Sequence, residues 1–138
     1  MAEILTPLRH CADLFSYRRR KTRPVMVGTV GVGGDNPIRV QSMTTTDTLK
    51  VEDTIAQSIR MAEDGCEIIR ITAPTVDDAR ALGKIKDGLV RRGVNNPLVA
   101  DIHFSPAAAM EAADFVEKVR INPGNYADSK TFTIREYR

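Results

Sequence analysis

The stretch PLVADIHFSP, residues 97–106, predicts a strand that passes directly into a helix. Residues 97–104 are mostly apolar and begin at a proline, which is typical of a buried strand. Ser105 followed by Pro106 indicates a helix start, because a serine hydroxyl caps the first turn and proline is tolerated at its first position. A strand followed at once by a helix is the first part of a β-α-β unit, whose strands run parallel.

The same alternation continues on both sides of this stretch. Thr75 and Asp78 have the spacing of a capping box before the apolar stripe of Leu82, Ile85 and Leu89. Val51, Ile55, Ile59 and Ala62 also recur at helical spacing, and Cys66 is expected to be a small buried thiol. The predicted order is a strand at 38–43, a helix from Thr48 to Gly65, a strand at 67–72, a helix from Thr75 to Gly93, a strand at 97–104, a helix from Ser105 to about Asp114 and a strand at 115–122.

A β-hairpin is predicted to precede the alternating elements. The valines between residues 25 and 32 favour a strand, and GGDNP at 33–37 is typical of a turn that leads back into the strand at 38–43. The glycines do not indicate a nucleotide-binding loop, because no Gly-Lys-Ser/Thr follows and the next predicted element is a strand rather than a helix.

The fold class predicted from these elements is α/β. We expect the N-terminal half of a (β/α)8 TIM barrel, with about four βα units after the hairpin; four parallel strands are also compatible with most of a small open sheet. Residues 1–24 are expected to form a basic N-terminal segment, and residues 25–138 the first part of the barrel domain.

Composition excludes several classes of function. A net charge of +2 over 138 residues is too small to indicate a nucleic-acid partner by itself, and the absence of Trp disfavours a base-stacking platform. No apolar run approaches the roughly 20 residues that cross a bilayer, and no secretory signal is visible. Cys11 and Cys66 have neither metal-ligand nor disulfide spacing, which fits a reducing cytoplasm.

Polar side chains recur on one face of each predicted strand. Alternation places each set opposite an apolar face, so the polar sets are predicted to line the inside of a barrel and to lean toward its carboxyl-terminal mouth, where barrel enzymes carry their chemistry. The polar sets are Arg39 and Gln41; Arg70 and Thr72; Asp101 and His103; and Lys118, Arg120 and Asn122. The apolar sets are Ile38 and Val40; Ile69 and Ile71; Leu98, Ala100 and Ile102; and Val119 and Ile121.

The polar sets favour an anionic ligand. Guanidinium groups match phosphate oxygens, and a histidine can donate a hydrogen bond or titrate near neutrality. Burying these charges without a partner would cost several kcal/mol each. A structural ion pair between Arg70 and Asp101 is the alternative for that pair.

The loop QSMTTTDT, residues 41–48, carries five hydroxyl side chains at a predicted strand-to-helix turn. Hydroxyls and free backbone N–H groups at such a turn suit phosphate. Helix capping by Thr46 or Thr48 is an alternative that does not exclude the first.

Four motifs together resemble the 4-hydroxy-3-methylbut-2-enyl diphosphate synthases. They are IRVQSMTTTDT (38–48), IIRIT (68–72), PLVADIHF (97–104) and KVRINPGN (118–125), and the resemblance covers residues 17–126. It implies a barrel that binds 2-C-methyl-D-erythritol 2,4-cyclodiphosphate at its mouth. The implied binding residues are Arg70, His103, Arg120 and Asn122, with His103 as the catalytic candidate and Gln41, Ser42, Thr44 and Asp101 as further contacts.

The resemblance also implies an oxidoreductase of isoprenoid biosynthesis by the methylerythritol phosphate pathway. In this family a separate C-terminal domain holds a [4Fe-4S] cluster on three cysteines and a glutamate, and neither Cys11 nor Cys66 matches such a position. The implied partners are a second subunit and a ferredoxin or flavodoxin, with no nucleic acid and no membrane. The implied location is the cytoplasm, or the plastid stroma in a plant, although no transit peptide is evident.

Because only four barrel strands are predicted, we expect a fragment without turnover of its own. Its open sheet edges are expected to make it marginally stable or self-associating.

Two other readings of the sequence stay open. A dihydropteroate synthase-like or other phosphate-binding TIM-barrel enzyme would share polar strand ends. A nucleic-acid binder would use the basic run YRRRKTR, residues 17–23, whose cations are Arg18, Arg19, Arg20, Lys21 and Arg23; a solvated segment is the simpler interpretation of that run.

Overall fold

The computed structural model describes residues 21–126, which form two sheets and three helices. The predicted alternation of strand and helix is confirmed throughout this range. The elements are β1 (Val25–Val27), β2 (Val30–Val32), β3 (Gln41–Met43), α1 (Val51–Glu63), β4 (Ile68–Thr72), α2 (Val76–Arg91), β5 (Leu98–Ile102), α3 (Pro106–Ala112) and β6 (Lys118–Ile121).

The main sheet has four parallel strands in the order β3-β4-β5-β6. Each neighbouring pair is joined by one helix, as expected of consecutive β-α-β units. The register pairs Arg70 with Val99 and Asp101 with Arg120, so the carboxyl ends of β4, β5 and β6 lie at the same end of the sheet. A partial barrel of α/β class, preceded by a hairpin, is therefore confirmed.

The hydrophobic core lies between the sheet and the helices. Ile69, Ile71 and Leu98 are fully buried on the helix side of the sheet, and the apolar stripe of α2 covers them. Alternation along the strands and the helical period of α2 place these side chains on facing surfaces. The predicted stripe of Leu82, Ile85 and Leu89 is confirmed, and so is the buried thiol of Cys66.

Local signals at the helix ends are confirmed where they are strongest. The Thr75 hydroxyl accepts from the Asp78 N–H at 3.2 Å, and the Asp78 carboxylate accepts from the Thr75 N–H at 3.1 Å. Ser105 accepts from the Ala108 N–H, with Pro106 at the first position of α3. Gly93, just after α2, has a φ of +78°, the left-handed conformation typical of a helix end.

The hairpin is present, but the predicted position of its turn was wrong. β1 pairs with β2, with Val27 opposite Val30, so the turn is at Gly28-Thr29 rather than at 33–37. Gly28 has a φ of +58°, which suits a two-residue turn. Residues 33–37 instead connect the hairpin to the main sheet.

The predicted strand at 38–43 was also too long. β3 begins at Gln41 and pairs with β4, not with the hairpin. Ile38 is 84% exposed and Val40 is 55% exposed, so the expectation that they pack under the helices was wrong. The reason is that the sheet has not yet begun at these residues.

An ion pair ties the hairpin to the main sheet. Arg39 donates through Nε to the Gly31 carbonyl and through Nη1 to Glu67, both at 2.7 Å. The other Glu67 carboxylate oxygen accepts from the Val40 N–H at 2.8 Å. The backbone N–H of Val40 and the guanidinium of Arg39 together lower the pKa of Glu67 below its ordinary value of 4.5.

Glu67 is expected to make the free energy of unfolding depend on pH. A carboxylate whose pKa is lowered on folding stabilises the native state above its unfolded pKa, and that contribution disappears as pH falls through the folded value. The difference in urea midpoint between the wild type and Glu67→Gln should therefore be largest near neutrality and should shrink as pH falls below 4.5. Glu63→Gln, at an exposed position late in α1, is the control. A wild-type advantage over Glu67→Gln that is independent of pH would contradict this assignment.

Candidate functional site at the strand ends

The candidate site is a group of four side chains at the carboxyl ends of β4, β5 and β6. We call Arg70, Asp101, His103 and Arg120 the Asp101 cluster. Arg70 and Asp101 come from inside their strands and Arg120 from the next strand, all on the face turned away from the helices. His103 follows directly after β5. The predicted convergence of these residues is present in the structure.

Asp101 is the centre of the cluster. Its carboxylate accepts from Arg70 Nη2 at 2.6 Å and from Arg120 Nη1 at 3.0 Å. The Asp101 side chain is 2% exposed, whereas those of Arg70 and Arg120 are 26% and 36% exposed. The ion pair considered as an alternative for Arg70 and Asp101 is therefore present. The buried arginines were expected to need an external anion, but one buried carboxylate already serves both.

The charges of the cluster do not cancel. Two guanidinium groups face one carboxylate, which leaves an excess of one positive charge at the carboxyl ends of the strands. Both arginine side chains are partly exposed to solvent there. Arg70 Nε is buried and makes no hydrogen bond among residues 21–126. A buried donor without a partner is unusual in folded proteins. The excess positive charge on two partly exposed arginines suits an anionic ligand.

His103 completes the outer side of the cluster. Its Nε2 is 3.3 Å from Arg120 Nη1 and 3.9 Å from the nearer Asp101 oxygen. About a third of its side chain is exposed, so the ring can reach a molecule placed over the arginines. An imidazole there can donate or accept a proton.

Asn122 lies just after β6, in a turn that it helps to hold. Its Oδ1 accepts from the Gly124 N–H at 3.1 Å, and its backbone carbonyl accepts from the Asn125 N–H at the same distance. The side-chain oxygen is therefore committed to the turn. The amide NH2 is the part of Asn122 that can donate to a ligand.

Phe104 was not predicted as part of the site. It has a φ of +58°, the left-handed region that a bulky side chain rarely adopts and that costs about 1–2 kcal/mol. Its backbone N–H donates to the Asn125 carbonyl at 3.2 Å, which joins the end of β5 to the turn after β6. The residue is 42% exposed, and its ring centroid lies 6.4 Å from that of His103. Nothing in the local sequence indicates this backbone conformation.

The loop between β3 and α1 is held by another residue that the sequence did not single out. Gln57 Oε1 accepts from the N–H groups of Thr45 and Thr46 at 3.0 and 3.2 Å, and Gln57 Nε2 donates to the Thr45 hydroxyl. The Thr44 N–H donates to the Arg70 carbonyl. These three N–H groups therefore already have acceptors. The expectation that they would be free to bind phosphate was wrong.

The capping alternative for the same loop was also wrong. Helix α1 begins after Lys50, and no side chain caps it. The Thr48 hydroxyl donates to the Thr72 carbonyl, and the Thr46 hydroxyl bonds to that of Thr54. The threonines thus tie the loop to β4 and α1 instead of capping the helix.

Several predicted contacts are not brought to the Asp101 cluster. Ser42 and Thr44 alternate with Met43, the register partner of Arg70, so they lie on the opposite face. Gln41 shares the face of Arg70 but lies level with Ile68, toward the amino end of β4. The buried Thr44 hydroxyl makes no hydrogen bond within the described range.

Lys118 and Arg39 belong to the other end of the sheet. Lys118 lines a cavity of about 500 Å³ together with the hairpin residues Val27 and Val32. Arg39 is bound to the hairpin carbonyl of Gly31. Strand alternation placed Lys118 on the face of Arg120 correctly, but it did not give the distance of Lys118 from the mouth. Arg39 precedes β3, so the face predicted for it does not apply.

The described residues do not form a metal centre. Among residues 21–126 there is no group of three or more His, Cys, Asp or Glu side chains able to hold a metal ion. The Cys66 thiol is buried and donates to the Ile68 carbonyl at 3.1 Å, so it does not fit an iron–sulfur ligand. Cys11 and Arg18–Arg20 lie outside the described residues. None of the helices in the described range is long and apolar enough to span a bilayer.

Comparison with known proteins gives a consistent result. The family model of the GcpE TIM-barrel domain matches residues 22–135. A 4-hydroxy-3-methylbut-2-en-1-yl diphosphate synthase (flavodoxin) of Akkermansia muciniphila is 56% identical over 128 residues, which are 93% of this chain and 22% of that protein. A protein of the same name from Protochlamydia amoebophila is 55% identical over 122 residues, 88% of this chain and 19% of its own length.

A plant relative is also similar over most of the chain. The chloroplastic 4-hydroxy-3-methylbut-2-en-1-yl diphosphate synthase (ferredoxin) of Oryza sativa is 47% identical over 130 residues, 94% of this chain and 18% of that protein. The chain therefore spans about a fifth of the length of the curated relatives that it matches.

Proposed function

We propose that the Asp101 cluster binds a cyclic diphosphate, because this chain belongs to the family of the GcpE TIM-barrel domain. The ligand is 2-C-methyl-D-erythritol 2,4-cyclodiphosphate. In the reaction of the complete enzyme, two electrons and two protons open its ring and release one oxygen as water, which gives 4-hydroxy-3-methylbut-2-enyl diphosphate. The names of the relatives support this reaction, and the family match disfavours the dihydropteroate synthase-like alternative.

The observation that carries the proposal is the convergence of Arg70 and Arg120 on one buried carboxylate. Asp101 fixes both guanidinium groups while neutralising only one of them. Two guanidiniums held close together with their outer N–H groups partly exposed are suited to bridge the oxygens of a diphosphate.

The residues of the cluster and Asn122 have distinct tasks in the proposed function. Arg70 and Arg120 hold the diphosphate, and the Asn122 amide donates a further hydrogen bond. His103 lies within 3.3 Å of Arg120, so its ring is placed to move a proton at an oxygen of a ligand bound there. These side chains bind and orient the substrate.

The remaining parts of the reaction are proposed from the relatives and from the family resemblance. The relatives' names print flavodoxin and ferredoxin, and a protein of this kind would supply the two electrons. The family resemblance implies a [4Fe-4S] cluster as the redox cofactor. Residues 21–126 offer no ligand set for such a cluster, so we propose that its ligands lie elsewhere in the complete enzyme. We also propose that this enzyme is a homodimer, as the family resemblance implies. The location is cytoplasmic, or plastidic in a plant. The division of the chain at residue 24 also stays a prediction.

Arg120→Ala tests the binding site directly. Removal of a charged hydrogen-bond donor should weaken binding of the cyclodiphosphate by roughly 1.5–3 kcal/mol, or about 10- to 150-fold in Kd. Isothermal titration calorimetry measures this loss. Arg91→Ala is the matched control, because Arg91 is an exposed arginine at the end of α2. Unchanged affinity in Arg120→Ala would refute the assignment.

A further inference from the structure

We propose that Phe104 is a specificity-determining residue, whose ring contacts the carbon skeleton of the ligand while the Asp101 cluster holds its phosphates. This inference rests on the proposed function, because it concerns the same ligand. It adds an apolar contact to a site that is otherwise made of charged and amide groups.

The position of the ring supports an apolar contact. Phe104 follows His103 at the carboxyl end of β5, and their ring centroids are 6.4 Å apart. Phe104 as a residue is 42% exposed, although a large apolar side chain is stabilised by burial. A ligand bound over the arginines and His103 would therefore have an uncovered aromatic surface beside it.

The backbone of Phe104 indicates that the chain fixes this position at a cost. A phenylalanine with a φ of +58° is strained, whereas glycine adopts the same conformation freely. Strained residues are concentrated at functional sites, where the surrounding structure holds them. Here the Phe104 N–H is bound to the Asn125 carbonyl, in the turn that Asn122 also helps to hold. Stability alone would favour glycine, so the ring itself is the reason for a phenylalanine.

The ligand chemistry follows from the two kinds of group. The arginines recognise the anionic oxygens, which inorganic pyrophosphate also has. An aromatic ring recognises apolar carbon, which the cyclodiphosphate has in its methyl-bearing skeleton and pyrophosphate does not. Phe104 should therefore affect the binding of one ligand and not of the other.

The test measures both ligands by isothermal titration calorimetry on the complete enzyme, with the wild-type sequence and with Phe104→Ala, Phe104→Gly and Phe104→Tyr. Both variants that lack the ring should lose about tenfold in affinity for the cyclodiphosphate, and Phe104→Tyr should retain it. Affinity for pyrophosphate should stay within about twofold of the wild type in all variants. Urea unfolding should give a higher midpoint for Phe104→Gly than for Phe104→Ala, because glycine removes the strain.

The outcomes separate the two proposals. Wild-type affinity for the cyclodiphosphate in Phe104→Gly, or a parallel loss for both ligands, would overturn the ring contact and indicate a structural role. If affinity follows the order of the urea midpoints, the ring contact is likewise refuted. If the complete wild-type enzyme binds neither ligand, the proposed function fails and the ring contact fails with it.

Discussion

Asp101→Asn is expected to destabilise the fold by about 2–4 kcal/mol in urea unfolding at low salt. Removing one partner of a buried ion pair leaves the other charges without compensation, and here two guanidinium groups would face each other across a neutral amide. The expected loss is below the largest values for buried pairs because both arginines are partly exposed and water can screen them. The loss should shrink as salt is added.

A matched control separates burial from charge. Asp77 pairs with Arg80 at 3.6 Å on the surface of α2, so Asp77→Asn should change stability by less than about 1 kcal/mol. In Asp101→Asn, inorganic pyrophosphate should raise the urea midpoint more than in the wild type, because the anion replaces the lost negative charge. A change within about 0.5 kcal/mol for Asp101→Asn would show that the carboxylate is not the centre of the cluster.

Ile71→Ala is expected to cost about 3–4 kcal/mol of unfolding free energy. Ile71 is fully buried in β4, opposite Ala100, and packs among the helix-facing side chains of the core. Truncation removes apolar contacts and leaves a cavity that a close-packed interior fills only in part. Equilibrium unfolding in urea, followed by circular dichroism, measures the effect.

The control is the same substitution in the same sheet. Ile121 is the last residue of β6 and is 43% exposed, so Ile121→Ala should cost less than about 1 kcal/mol. Equal losses at the two positions would mean that the sheet does not have its core where the structure places it.

Elements set by short-range chemistry were predictable from the sequence. Thr75 with Asp78, Ser105 with Pro106, and the glycine after α2 act within one turn of helix, so no distant contact was needed to identify them. The alternation of apolar side chains then predicted a parallel sheet with helices between its strands. These features come from residues within a few positions of each other.

The hairpin was less predictable because two turn signals compete in one stretch. Gly28-Thr29 and the segment 33–37 both have turn chemistry, and the sequence favoured the longer one. Strand pairing decides between them, and pairing depends on contacts elsewhere: Gly28 lies against Pro97 and Glu117, where a Cβ would come within 3.4 Å of the Pro97 side chain and 3.2 Å of that of Glu117. Such contacts far along the chain leave no local trace.

The sequence predicted which residues of the candidate site share a face, but not how they contact each other. Alternation placed Arg70, Asp101 and Arg120 on one face, and the structure brings them together. The alternation of side chains could not show that Asp101 binds both arginines, since that depends on the register of three strands. The left-handed conformation of Phe104 depends on the hydrogen bond to Asn125, 21 positions later, and had no signal at all.

The bonds from Gln57 to Thr45 and Thr46 have a thermodynamic consequence for recognition. A loop that must become ordered around a ligand loses conformational entropy at that moment, which weakens the observed affinity. Here an amide side chain from α1 restrains the loop after β3, so this entropy is lost when the chain folds. Binding at this end of the sheet can then proceed with little further ordering of that loop.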